Sequence, residues 1–220
     1  MEKTPGTPAK QKGKLFYGWI IVLCCTLLVA AATGIFVNCL GIFVKPVCED
    51  LNFTRGAFTL YSTIGGFVGM FAVLVYGELY RRYPHHIRKF IALGTVVSCA
   101  VFYGYSLSTK LWHFYTLAAI YGTVSMTLAG ISVTTLINNW FVDKKGLAMG
   151  LAYSGSGVTA AVMTPILSGV VSDFGWRWGY RLLAVCGFVL LFVSAFVLLR
   201  EKPADMGLEP LGAGIFLISS

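Results

Sequence analysis

The chain has 220 residues, of which 57% are apolar and 12% charged, against about 45–50% and about 25% in soluble globular domains. Together with a mean hydropathy of +0.76, this excludes soluble enzymes, disordered tails and nucleic-acid readers and leaves a polytopic membrane protein. The excess of 17 Lys and Arg over 9 Asp and Glu is explained by membrane topology, not by a nucleic-acid partner.

Residues 1–14 read as a polar cytoplasmic tail rich in Pro, Gly and Lys. Six runs without Asp, Glu, Lys or Arg follow at 15–44, 56–77, 90–109, 111–142, 146–172 and 182–199. About 20 residues at about 1.5 Å rise each cross the roughly 30 Å of hydrocarbon. Six transmembrane helices are therefore expected over 15–44, 57–79, 90–109, 111–141, 146–171 and 180–199, with 201–220 beginning a central cytoplasmic loop. Strands of a membrane barrel would be about 10 residues long and alternate in polarity, which these runs do not. Leu15–Val29 followed by Ala30-Ala31-Ala32 imitates a secretory signal, but the apolar run continues to Val44, so the segment reads as a span.

Orientation follows from the basic residues. With the N-terminus inside, the inner segments hold 12 Lys and Arg (among them Arg81, Arg82, Arg88, Lys89, Lys144 and Lys145) and the outer ones 5 (Lys45, Arg55, Lys110, Arg177, Arg181). Both termini are therefore expected in the cytoplasm, in a multi-pass plasma (inner) membrane protein. Trp19, Trp112, Trp140, Trp176 and Trp178 all lie near span ends, where an amphipathic ring suits the headgroup zone. Six scattered cysteines, with no C-x-x-C pair, read as small apolar packing residues; no disulfide framework, metal site or cofactor is expected.

The runs fall into two trios of 30-22-20 and 32-27-18 residues. Three spans is an odd number, so the second trio enters the membrane inverted, as in transporters built from repeats. Arg55-Gly56, Tyr61-Ser62 and Gly65 are faintly echoed by Lys145-Gly146, Tyr153-Ser154 and Gly155. Small residues recur at four-residue spacing: Gly65 and Gly69; Gly146, Gly150 and Ser154, with Ala148, Ala152, Ser156 and Ala160 beside them; and, in part, Gly122 and Gly130. In lipid such stripes let helix backbones approach closely. Pro165 is expected to bend the outer half of the fifth span.

Several stretches resemble the major facilitator superfamily, in particular its oxalate/formate antiporter and monocarboxylate-porter-like branch. Tyr17-Gly18-Trp19 opens the first span and Gly41-Ile42-Phe43-Val44-Lys45-Pro46 closes it. Leu51 to Ala57 is similar to a family segment with Arg55 before the second span. The most specific stretch runs from Asn139-Trp140-Phe141-Val142-Asp143 through Lys144-Lys145-Gly146-Leu147-Ala148-Met149-Gly150. Phe174-Gly175-Trp176-Arg177-Trp178 and the stretch from Pro203 to Pro210 complete a likeness over about residues 15 to 212. It implies an all-α membrane fold, six transmembrane helices forming one half of a major-facilitator fold (a 3+3 inverted repeat). It also implies a partner half of six further helices, missing from this chain through truncation, a split gene or fragmentation.

The family pattern between spans two and three, G-x-L-x-D-R-x-G-R-R, is only partly kept. Gly77, Leu79 and Arg82 stand in place, but Arg81 replaces the aspartate, Pro84 the second glycine, and His85 and His86 the basic pair. The resemblance marks Gly77, Glu78, Arg82, Asp143, Lys145 and Gly146 as candidates for a cytoplasmic gating cluster, with Glu78 or Asp143 standing in for the lost aspartate. His85 and His86 read as solvated loop residues rather than a metal or proton site. Ala118 and Asn38 occupy positions where proton-linked relatives carry Arg and Lys.

The resemblance also implies that spans one, two, four and five line a substrate path. An ionisable side chain at the bilayer centre costs about 2.5–3.5 kcal/mol on insertion scales, and no span interior holds one. The candidates for the path are neutral: Thr33, Asn38, Tyr61, Ser62, Tyr121, Ser125, Asn138 and Tyr153. The expected function is transport of small organic anions (monocarboxylate-, oxalate- or formate-like) by alternating access, with the basic anion-binding residue supplied by the other half. The alternative is a degenerate membrane protein serving as assembly partner or sensor. No catalytic motif is present, so no enzyme is expected. Asn52-Phe53-Thr54 forms a glycosylation sequon on the expected outer face.

Overall fold

In a computed structural model, residues 17–82, 86–142 and 144–198 are described; the expected tails, His85 and Asp143 lie outside them. Among the described residues, six helices are long and apolar enough to cross a membrane: α1 (Tyr17–Leu51), α2 (Arg55–Arg82), α3 (Ile87–Leu107), α4 (Leu111–Trp140), α5 (Lys145–Phe174) and α6 (Trp176–Phe196). Among the described residues there is no strand. In hydrocarbon each backbone amide and carbonyl must be satisfied within the segment, so charge-free runs of this length fold as helices.

The principal pairings are α2 on α4, α1 on α5 and α3 on α6. Exchanging α1 with α4, α2 with α5 and α3 with α6 turns the first pairing into the second and returns the third to itself. The two trios thus pack as repeats related by a pseudo-two-fold, the arrangement of an inverted 3+3 unit.

Glycine explains why the paired helices come so close. A Cβ on Gly65 would lie 3.0 Å from the Ala118 carbonyl oxygen, and one on Gly122 would lie 3.0 Å from the Gly65 carbonyl carbon. Across α1 and α5, a Cβ on Gly34 would meet the Ser156 oxygen at 2.9 Å and one on Gly155 the Thr26 oxygen at 3.0 Å. Close packing is the main attraction between helices in lipid, where apolar burial gives little drive. The stripe on α5 that packs is Ala148, Ala152 and Gly155, all buried. Gly146 and Gly150 face open space.

Two connections are short because their residues cap helices. Asn52 takes a left-handed conformation (φ 52) after α1, and the Phe53 amide donates to the Cys48 carbonyl at 3.1 Å. The Thr54 hydroxyl then accepts the Ala57 amide at 3.4 Å at the start of α2. Both polar residues of the sequon therefore serve the turn. A single residue, Gly175 with φ 86, separates α5 from α6.

The tryptophans divide. Trp112 and Trp178 are exposed, but Trp140 and Trp176 are buried, so nearness to a span end does not place those two rings in the headgroup zone. Trp140 instead packs on Tyr17, with ring centroids 5.4 Å apart. All six cysteines are unpaired, and Cys24, Cys25, Cys39 and Cys48 are buried.

α5 stays helical through Pro165. Irregular turns fall within α1 and α4 and at the end of α6, where they widen over Val193–Leu198, none of them at a proline. In α1 the turns widen over Ala30–Ile35 and tighten over Asn38–Phe43; in α4 they widen over Met126–Gly130. The first helix of each trio is thus irregular in its middle.

Candidate functional site: a neutral cavity between α1, α2 and α4

The irregular turns release backbone groups, and neighbouring helices supply hydroxyls for them. The Phe36 amide donates to the Ala31 carbonyl at 3.0 Å and the Val37 amide to that of Thr33 at 3.2 Å. The Ala32 carbonyl between them accepts instead from the Tyr121 hydroxyl of α4 at 2.7 Å. In α4, the Ser132 hydroxyl donates to the Thr127 carbonyl and shares a 2.7 Å hydrogen bond with the Tyr80 hydroxyl of α2. The Tyr153 hydroxyl of α5 donates to the Ala129 carbonyl at 3.2 Å. Non-helical backbone at membrane depth is tolerated where protein or a cavity covers it.

A cavity does adjoin both breaks, with a volume of about 450 Å³, within the roughly 300–1,000 Å³ of small-ligand sites. α1, α2, α4 and α5 contribute to its wall, with Phe102 and Tyr105 from α3. Six of the candidate path residues line it: Thr33, Tyr61, Ser62, Tyr121, Ser125 and Tyr153. Ser62 and Ser125 donate to carbonyls of their own helices, Thr59 at 2.8 Å and Gly122 at 3.1 Å. Their oxygens remain acceptors, and they can turn outward. No charged side chain is among the lining residues.

Asn38 and Asn138 are exposed and not part of this wall. Asn138 lies eight residues beyond Gly130, about 12 Å along the helix. The sequence did not reveal the contribution of Phe102 and Tyr105 to the wall or the breaks in α1 and α4; the signal for the breaks was small residues (Ala31, Ala32, Gly34 and Ala129, Gly130) amid larger ones.

At the end of the bundle where α1 begins, Glu78 accepts hydrogen bonds from Arg81 at 2.9 Å and Arg82 at 2.7 Å. Both of its carboxylate oxygens are thus engaged within α2. Gly77, Lys145 and Gly146 are exposed, and Asp143 lies outside the described residues. Among the described residues no ion pair joins α2 to α5 at this end.

Residues 26–220 match the family model described as Major Facilitator Superfamily. The chain belongs to the Major Facilitator Superfamily. It is 26% identical over 201 residues to the uncharacterized transporter ESBP6 of Saccharomyces cerevisiae, covering 88% of this chain and 29% of that protein. The probable transporter MCH2 of the same yeast is 27% identical over 196 residues, 88% of this chain and 40% of its own. Monocarboxylate transporter 12 of Mus musculus is 25% identical over 188 residues, 84% of this chain and 37% of its own. The chain spans less than half the length of these relatives.

Proposed function

We propose that this superfamily member is the N-terminal six-helix half of a secondary transporter that carries small organic anions, monocarboxylates foremost, by alternating access. The observation that carries this reading is the neutral, largely apolar cavity between α1, α2 and α4, whose wall carries the hydroxyls of Thr33, Ser62 and Ser125. Such a wall offers hydrogen bonds to a carboxylate but no counter-charge, and a carboxylate leaving water for low dielectric needs one. The reading therefore assigns the Lys or Arg that neutralises the anion to a second six-helix half, continuous with this chain or separate.

The exposed faces support such a partner. In their most apolar stretches α5 is only 6% and α2 22% buried, against 67% for α1, and the open Gly146–Gly150 stripe of α5 admits close approach by another helix. The concentration of Lys and Arg at the loops of one end supports a cytoplasmic position for both termini, and the same reading assigns the protein to the plasma membrane. The name of the mouse relative supports the monocarboxylate class.

The test is uptake of labelled lactate, formate and oxalate by the assembled transporter, with Thr33→Val, Ser62→Ala and Ser125→Ala compared. One lost hydrogen bond, about 0.5–1.5 kcal/mol, raises KM for the preferred anion about two- to tenfold. Absence of saturable uptake for all three anions overturns the proposal, as does a KM unmoved in all three variants.

A further inference from the structure

The end of the bundle opposite the start of α1 holds a second polar concavity, of about 330 Å³, where α1 meets the α5–α6 turn. Asp50 of α1 organises one side. Its Oδ2 accepts both the Trp176 indole N–H and the Arg177 guanidinium, each at 3.0 Å. Arg177 lies over the Trp176 ring at 4.2 Å, so its charge is paired and its plane held.

Arg181 stands one turn further along α6. Its guanidinium lies over the Trp178 ring at 4.8 Å, but among the described residues no carboxylate pairs with it. Its Nε is buried without an acceptor. Asp50 neutralises Arg177, so the concavity keeps one positive charge, and that charge comes with an unused buried donor. Such a group is costly unless an anion completes it.

Depth in the membrane identifies the anion. The concavity sits where α5 ends and α6 begins, and it is flanked by Phe174 and Trp178, 68% and 54% exposed. Large exposed aromatics at a span end belong to the headgroup level, and the anion present there at high density is the phosphodiester of a lipid. Basic pockets between transmembrane helices bind lipid head groups by this chemistry, and a guanidinium fork matches phosphate oxygens.

We propose that this concavity is a binding site for the phosphate of a phospholipid headgroup, with Arg181 as its principal ligand and Arg177, fixed by Asp50, as its second. Trp178 holds the Arg181 guanidinium in place and covers the glycerol side. The site is independent of the transport reading.

The test is native mass spectrometry of the full chain, purified in mild detergent and loaded with phosphatidylglycerol. Wild type retains one lipid through a delipidating wash; Arg181→Gln retains it about tenfold less; Arg181→Lys, which keeps the charge, retains more than Arg181→Gln. Lys110→Gln, at an exposed position of the same end, leaves retention unchanged, and free glycerol phosphate does not displace the lipid. Equal retention in wild type and Arg181→Gln overturns the site. So does an equal loss in Lys110→Gln, which signals diffuse attraction, or displacement by glycerol phosphate, which signals a pocket for soluble anions. If Arg181→Gln does not fold, Arg181→Lys and the displacement arm still decide.

Discussion

Tyr121 and Tyr153 do the same task at different strengths. Each places a phenol on a carbonyl of an irregular turn, Ala32 at 2.7 Å and Ala129 at 3.2 Å. Tyr121 is buried, whereas Tyr153 is 43% exposed. A carbonyl stripped of its donor in hydrocarbon keeps its full desolvation cost. Tyr121→Phe should therefore destabilise the bundle by about 1–2 kcal/mol and Tyr153→Phe by about 0.5 kcal/mol or less. Thermal unfolding in detergent, compared among the three proteins, measures the order; a larger loss in Tyr153→Phe contradicts it. The neutral polar residues themselves were legible in the sequence, because Thr33, Ser62 and Ser125 stand out in apolar runs. Which of them reach the cavity was not. Asn38 and Asn138 are as polar, yet Asn38 is turned away between the lining residues Val37 and Leu40, and Asn138 lies beyond the cavity along α4.

At the scale of helices, close approach separates glycines that a sequence cannot tell apart. Gly65 and Gly66 are neighbours, but a Cβ on Gly65 meets Ala118 backbone and one on Gly66 meets nothing within 4 Å. A Cβ on Gly122 meets the Gly65 backbone more closely still, so Gly122→Ala forces α2 from α4 and should cost about 1–3 kcal/mol. Gly66→Ala and Gly150→Ala should stay within about 0.5 kcal/mol of wild type. Chemical unfolding of the four proteins checks this, and a stable Gly122→Ala would contradict the packing of α2 on α4. The spacing of small residues marked both α5 stripes. Only the fold shows that Ala148, Ala152 and Gly155 are buried, Gly155 against Thr26 of α1, while Gly146 and Gly150 stay open. The breaks in α1 and α4 escaped sequence reading for a related reason. A helix widens there because tyrosines from other helices satisfy its carbonyls, and no proline announces it.

For the whole molecule, the number of helices and the two trios were legible, because hydrocarbon as a solvent excludes charge and fixes length. The same charge accounting gives the central functional claim. The cavity of this chain holds no cation, and the charges that exist lie at the two ends, with Glu78 engaged by its own helix and Asp50 by Arg177. On the proposed reading, a carboxylate crossing by this route takes its positive partner from a second half. The most direct measurement is uptake of labelled lactate into sealed vesicles containing this chain alone, beside vesicles in which a complementary six-helix half is also present. Saturable uptake only when both are present is the expected result. Saturable exchange by this chain alone would contradict the dependence on a second half.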